Sequence, residues 1–154
     1  MYIKTINECT PRELADFEWL EAEGNTVPRV QLERVKLIGF YYEGDELIAT
    51  RALKKPYLGY KVGLFRRAQM ERFHVYYSWE SGYSYTVPRF RQNGLSTILL
   101  RALINHRAAW PHNIYATTLM HNTPVIKVFL RVNGKPIGRP FCSPSGMVMV
   151  LRLK

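Results

Sequence analysis

The chain has 154 residues, 47% hydrophobic and 22% charged, with a formal net charge of +10. That length and apolar content predict one domain, residues 1–154, with a sizeable core, and exclude a disordered chain. No apolar run is long enough to span a bilayer, and residues 1–8 lack the apolar stretch of a secretory signal. The two cysteines, Cys9 and Cys142, are isolated and near opposite ends, which reads as free thiols of a cytoplasmic protein. They and the four histidines fit no metal-ligand spacing, so no metal is expected.

The charge is unevenly placed. Residues 1–46 hold ten of the twelve acids and five of the Lys/Arg residues; residues 47–154 hold 17 Lys/Arg and only two acids, Glu71 and Glu80. A body this basic attracts polyanions: a phosphorylated cofactor, RNA, DNA or an acidic protein surface.

In chain order, residues 2–7 alternate like a strand. Thr10-Pro11-Arg12-Glu13 is a helix start, with Thr10 as N-cap, Pro11 in the first turn and Glu13 at the capping-box position. That helix is expected to run to Gly24 with Leu14, Phe17 and Leu20 inward. Residues 25–33 read as a loop or short helical turn. Residues 35–42 and 46–53 flank Glu43-Gly44-Asp45 as a hairpin. Residues 54–63 contain Pro56, Gly59 and Gly63 and read as partly irregular, with a short helix over 64–70. Residues 73–86 read as one long β stretch. Leu95, Ile98, Leu99, Ala102 and Leu103 have helical spacing within a helix over 95–108. A strand over 113–119, a helix over 123–132 ended by Asn133-Gly134, and a closing strand over 147–153 complete the chain. Strand 73–86, helix 95–108 and strand 113–119 make a right-handed βαβ unit with parallel strands. The fold class is mixed α/β.

The run Tyr85-Thr86-Val87-Pro88-Arg89-Phe90-Arg91-Gln92-Asn93-Gly94-Leu95-Ser96 carries the most chemistry. A strand stops at a proline, turns through a polar loop with one glycine, and enters a helix. The unpaired N–H groups of a helix start, its dipole and Arg91 suit a diphosphate. The loop is neither a Walker loop nor a three-glycine dinucleotide fingerprint.

This stretch resembles the acetyl-CoA motif of the GNAT superfamily of N-acetyltransferases: a strand ending in a Val-x-Pro-like element, Arg/Gln-x-x-Gly-x-Gly/Ala, then a helix. Arg91, Gly94 and Ser96 take the loop positions, with Ser96 in place of a Gly or Ala. Ala116-Thr117-Thr118-Leu119-Met120-His121-Asn122 and the following helix are similar to the family's fifth strand, its Asn and its next helix. Gly134-Lys135 stands where the family has Gly-Phe. The resemblance implies a central mixed antiparallel/parallel sheet with helices on both faces and direct acyl transfer from acetyl-CoA to an amine. It implies that the backbone N–H groups of Gln92, Asn93, Gly94, Leu95 and Ser96 hold the diphosphate, helped by Arg91 and Arg89. Tyr85, Thr86 and Val87 would pair through their backbone with the pantetheine arm, and Asn122 would hydrogen-bond it. A β-strand N–H would act as oxyanion donor.

Glu80, on the strand before the loop, is the candidate general base, because an amine must lose a proton to attack; the alternative is a surface ion pair. The family's tyrosine acid maps to Phe129 and Leu130, which cannot donate, so His121, Tyr83 and Tyr85 are the substitutes. Residues 54–72 interleave Lys54, Lys55, Lys61, Arg66, Arg67 and Arg72 with Tyr57, Tyr60 and Phe65. This segment is either an amphipathic connector or a nucleic-acid platform. The alternatives are acetylation of an RNA-linked amine or a nucleic-acid base, and a non-catalytic module that binds a partner or nucleic acid. No membrane partner is expected.

Overall fold

The computed structural model describes residues 1–24 and 29–154, so residues 25–28 of the expected loop lie outside the described residues. β1 (Tyr2–Thr5) leads through a short 3-10 turn to α1 (Pro11–Gly24). The capping box forms as expected: Thr10 Oγ1 accepts from the Glu13 N–H at 3.2 Å, and Glu13 Oε2 accepts from the Thr10 N–H at 2.8 Å. β2 (Val35–Glu43) and β3 (Glu46–Lys54) make the expected hairpin. Gly44 turns it with φ +59°, a left-handed value that favours glycine.

Three stretches differ from the sequence expectation. α2 spans Leu58–Arg67, starting within the stretch expected to be irregular. Gly59 and Gly63 lower its intrinsic helicity, but burial of Leu64 and Phe65 outweighs that cost. Residues 73–86 are not one strand: a 3-10 turn over Glu71–Tyr76 precedes β4 (Trp79–Thr86). The expected closing region gains a strand, β6 (Lys135–Ser143), which holds Pro136, Gly138 and Pro140. Such residues are tolerated there because β6 lies at the sheet edge and its ladder is interrupted between Ile137 and Phe141.

The remaining elements are α3 (Leu95–Asn105), β5 (Ile114–Leu119), α4 (Thr123–Arg131) and β7 (Gly146–Arg152). Asn133 and Gly134 end α4, with the Gly134 N–H donating to Phe129 O at 2.9 Å. Among the described residues seven strands form one sheet in the order β1-β2-β3-β4-β5-β7-β6, antiparallel except for β4 with β5. The mixed α/β class, with helices on both faces, is thus observed. On one face α3 and α4 cover Leu37, Leu53, Ala116 and Leu151 with Leu100, Leu103 and Phe129. On the other, α1 sets Phe17 and Leu20 against Ile38, Phe40 and Ala52, and α2 sets Phe65 against Tyr115 and Val150. Each fully buried large side chain contributes roughly 1.5–3 kcal/mol.

A Cβ built on Gly63 meets nothing within 4 Å, and its φ is not positive. Gly63→Ala is therefore expected to stabilise the protein by about 0.5–1 kcal/mol, raising Tm by roughly 1–4 °C in a thermal melt.

Candidate active site

β4 and β5 pair over only three residues: Trp79 with Ile114, Glu80 with Tyr115 and Ser81 with Ala116. Beyond them β4 runs on to Thr86 against β3, while β5 runs on to Leu119 against β7. The facing edges part and leave backbone groups open to a ligand. A bulge accompanies the parting. Thr50 faces Tyr85 and Ala52 faces Gly82, so β4 carries an extra residue at Tyr83–Ser84. Tyr83 adopts φ +47°, and such a bulge bends its strand and increases its twist.

At the far end of β4 the chain makes a 3-10 turn over Pro88–Phe90 and a loop into α3. Gln92 and Gly94 both have positive φ, +68° and +77°. Among the described residues no acceptor faces the backbone N–H groups of Gln92, Asn93, Gly94, Leu95 or Ser96. Alternating backbone hand of this kind, at a helix N-terminus, makes a concave anion cradle. Arg91 stands beside it, its Nε donating to Thr86 O at 3.0 Å and its guanidinium 5.5 Å from the Tyr85 ring.

Where β4 and β5 still pair, Glu80 is buried, 4% exposed. Its Oε1 accepts from the Tyr60 hydroxyl of α2 at 3.1 Å, and Lys54 Nζ stands 3.6 Å from Oε2. That second separation is too long for a hydrogen bond, and Oε2 has no such partner. Burial pushes the Glu80 carboxyl above its ordinary range, against the pull of Lys54 and Tyr60. The Tyr115 hydroxyl is likewise buried and has no hydrogen-bond partner among the described residues. Burial first, then the neighbouring Glu80, hold the Tyr115 and Tyr60 phenols above their ordinary range, so both stay protonated at neutral pH. A buried carboxylate with an open oxygen, beside two phenolic donors and an ammonium, can exchange a proton with a ligand.

No protein-family model matches the sequence, and no curated protein matches it significantly. Solved structures do match over nearly the whole chain. An acyl-CoA N-acyltransferase from Pseudomonas aeruginosa superposes with a TM-score of 0.69 at 16% identity, covering 99% of this chain and 97% of that one. Arabidopsis thaliana NAA60, solved with acetyl-CoA, gives 0.64 at 14%, covering 98% and 96%. The ribosomal-protein-S18-alanine N-acetyltransferase of Escherichia coli gives 0.65 at 12%, covering 99% and 92%. The fold is the GNAT N-acetyltransferase fold.

Within this GNAT fold, the residues expected from sequence have different fates. Gln92 through Ser96, Arg91 and Thr86 line the loop and the open end of β4. Arg89 does not join them: its guanidinium pairs with the Glu46 carboxylate of the β2–β3 hairpin. Val87 is not a free strand edge either. Its N–H donates to Ile48 O, which extends the β3 ladder, and its carbonyl accepts from the Phe90 N–H of the 3-10 turn, both at 2.9 Å. N–H directions alternate along a strand, so Thr86 instead faces the open side. The Tyr85 ring covers Gly24 of α1. Asn122 caps α4, its Oδ1 accepting from Val125 N at 3.4 Å, which leaves its amide NH₂ to donate. His121 is not brought to Glu80. It is exposed in the turn after Leu119, which lies roughly 13 Å along β5 from Tyr115, the residue opposite Glu80. Phe129 is buried on the α3 face, and Leu130 is exposed.

Sequence reasoning missed Tyr115 and gave Tyr60 and Lys54 only a generic place. The available signal was β5 alternation for Tyr115 and the i, i+4 relation of Tyr60 to Leu64, hidden by the glycines of α2. Among the described residues no group of three or more His, Cys, Asp or Glu is placed to hold a metal ion, and no helix is long and apolar enough to cross a membrane.

A carboxyl whose folded pKa exceeds its ordinary value of 4.5 adds stability below that value and loses it as pH rises. Glu80→Gln removes this ionisation and keeps an acceptor for Tyr60. The Tm of the variant is therefore expected to gain on the wild type between pH 4 and pH 8, and a gap that shrinks over that span would contradict the burial effect.

Proposed function

We propose that this chain is an N-acyltransferase that takes an acetyl group from acetyl-CoA and transfers it to an amine in a ternary complex. One observation carries the reading: a buried carboxylate with an open oxygen sits on β4 one residue before its ladder with β5 ends, on the strand that leads to an N–H cradle without a protein acceptor among the described residues. The GNAT fold supports it, as do the acyltransferase names of structures that superpose on the whole chain. The donor set fits the cofactor: five backbone N–H groups without an acceptor among the described residues and Arg91 for a diphosphate, an open β-edge for an extended amide arm, and the Asn122 amide beyond it.

Bound acetyl-CoA supplies an activated thioester. Glu80, directly or through one water, takes the proton that the amine sheds as its N–C bond forms and the C–S bond breaks. A backbone N–H on the open side of β4 donates to the carbonyl oxygen as negative charge develops on it. Tyr60 and Lys54 hold the Glu80 carboxylate in place. CoA thiolate leaves without a phenol from α4, and Tyr115, a protonated hydroxyl near Glu80, is the acid this arrangement offers in place of His121. The free thiols of Cys9 and Cys142 suit a cytoplasmic setting.

Glu80→Gln is expected to lower kcat by about 10²–10⁴-fold in a thiol-release assay with an amine acceptor. CoA affinity measured by calorimetry should stay unchanged. Unaltered kcat would remove Glu80 as base, and absence of CoA binding to the wild type at millimolar concentration would defeat the whole reading.

A second reading, acetylation of an amine carried on RNA, is favoured by the surface just ahead of β4. Phe73 and Tyr76 are exposed there, their ring centroids 6.2 Å apart, and with Arg152 and Lys154 they line one groove. RNA binding that weakens steeply between 50 and 200 mM salt and is lost in Phe73→Ala/Tyr76→Ala would support it; salt-independent binding would not.

A further inference from the structure

Arg51, in the middle of β3, is 2% exposed. One terminal nitrogen donates to Ser81 Oγ at 3.0 Å and the other to Ser96 Oγ at 2.9 Å. Ser81 is the last β4 residue paired with β5, and Ser96 lies in the first turn of α3. One guanidinium therefore ties the point where the strands part to the helix that carries the N–H cradle. Its central carbon also lies 5.5 Å from the Phe129 ring of α4.

This bridge is electrostatically unusual. Among the described residues no carboxylate lies within ion-pair distance of Arg51, and its Nε–H is buried without an acceptor. Burial lowers the guanidinium to about 10, partly offset by the Glu21 carboxylate of α1. The N-terminus of α3 is itself the positive end of a dipole. Two positive potentials thus meet at Ser96, offset only in part by the Glu21 carboxylate. Such an arrangement stabilises nearby negative charge in a low-dielectric setting, where it is screened far less than at the surface. It also accounts for a departure from the loop motif. A Gly or Ala at position 96 would leave one arm of a buried guanidinium without its acceptor.

We propose that Arg51 is a positioning residue for the CoA diphosphate, acting through Ser96 to fix the first turn of α3 and to place a buried positive charge beneath the N–H cradle. The proposal rests on the acyltransferase reading. Arg51 does not touch the ligand. It sets the register of the Leu95 and Ser96 N–H groups and raises the potential they sit in, while Ser81 fixes the same guanidinium to the point where β4 and β5 part.

The test is a pair of variants read with two ligands. Removing one member of a buried polar pair leaves its partner unsatisfied, whereas replacing both by apolar groups is better tolerated. Arg51→Met with Ser96→Ala is therefore the main variant, checked for folding by its melting transition. CoA affinity is measured by calorimetry and pantetheine affinity, which involves no diphosphate, by ligand-detected NMR. The expected result is a loss of about tenfold or more for CoA with no change for pantetheine. Arg51→Lys, which keeps the charge but loses the forked bridge, is the second variant and should weaken CoA by less. Equal losses for both ligands, or no loss for either, would overturn the proposal. A wild-type protein that binds no CoA would instead defeat the acyltransferase reading.

Discussion

The bulge at Tyr83 is the constraint on which the rest of the site depends. A bulky residue with φ +47° is strained, by about 1–3 kcal/mol, and persists only if its surroundings hold it. They do so on several sides. The Tyr83 ring meets Phe17 edge-on at 6.1 Å, Lys54 Nζ lies 4.7 Å from its centroid, and its hydroxyl accepts from the Gln31 N–H at 3.2 Å. With β4 bent there, its parallel ladder with β5 stops after three pairs. A regular β4 would pair with β5 along its length, and its edge donors would be consumed by the sheet.

The same strand separates two chemistries. Glu80 and Ser81 are neighbours and so point to opposite faces. Glu80 meets α2 and its phenol, Tyr60; Ser81 meets Arg51 beneath α3. A buried carboxylate and a buried guanidinium, one on each face, flank the place where the ladder ends. Each is under-satisfied: Glu80 Oε2 and Arg51 Nε lack hydrogen bonds. Buried polar atoms of this kind are uncommon in folded proteins. Their occurrence on adjacent strands, beside the point where the β4–β5 ladder ends, is what marks that point as the candidate site.

Much of the fold was legible in the sequence because it rests on local signals. The Thr10–Glu13 capping box, the Gly44 hairpin, the apolar stripe of α3 and the Asn133-Gly134 stop each act within a few residues. The errors fall where tertiary packing overrides propensity. Glycines 59 and 63 speak against a helix, yet Leu64 and Phe65 find a core and α2 forms. Prolines 136 and 140 speak against a strand, yet an edge position tolerates them. The loop and Glu80 stand out in the sequence itself, and the proposed site is built on them. Arg89 and Val87 were misplaced because their partners, Glu46 and Ile48, come from the β2–β3 hairpin more than 35 residues away in sequence.

By itself, the sequence determined the mixed α/β class, the strand-loop-helix that forms the N–H cradle, and the isolation of Glu80 among the cations of residues 47–154. These are properties of short segments and of composition. Only the tertiary structure decided that Glu80 is buried beside Tyr115 and meets Tyr60 and Lys54, that His121 stands apart from it, and that Arg51 joins Ser81 to Ser96. Burial depends on what the rest of the chain packs against a residue. Hydrogen bonds from Arg51 to residues 30 and 45 positions away depend on strand register and helix placement, which no local pattern encodes.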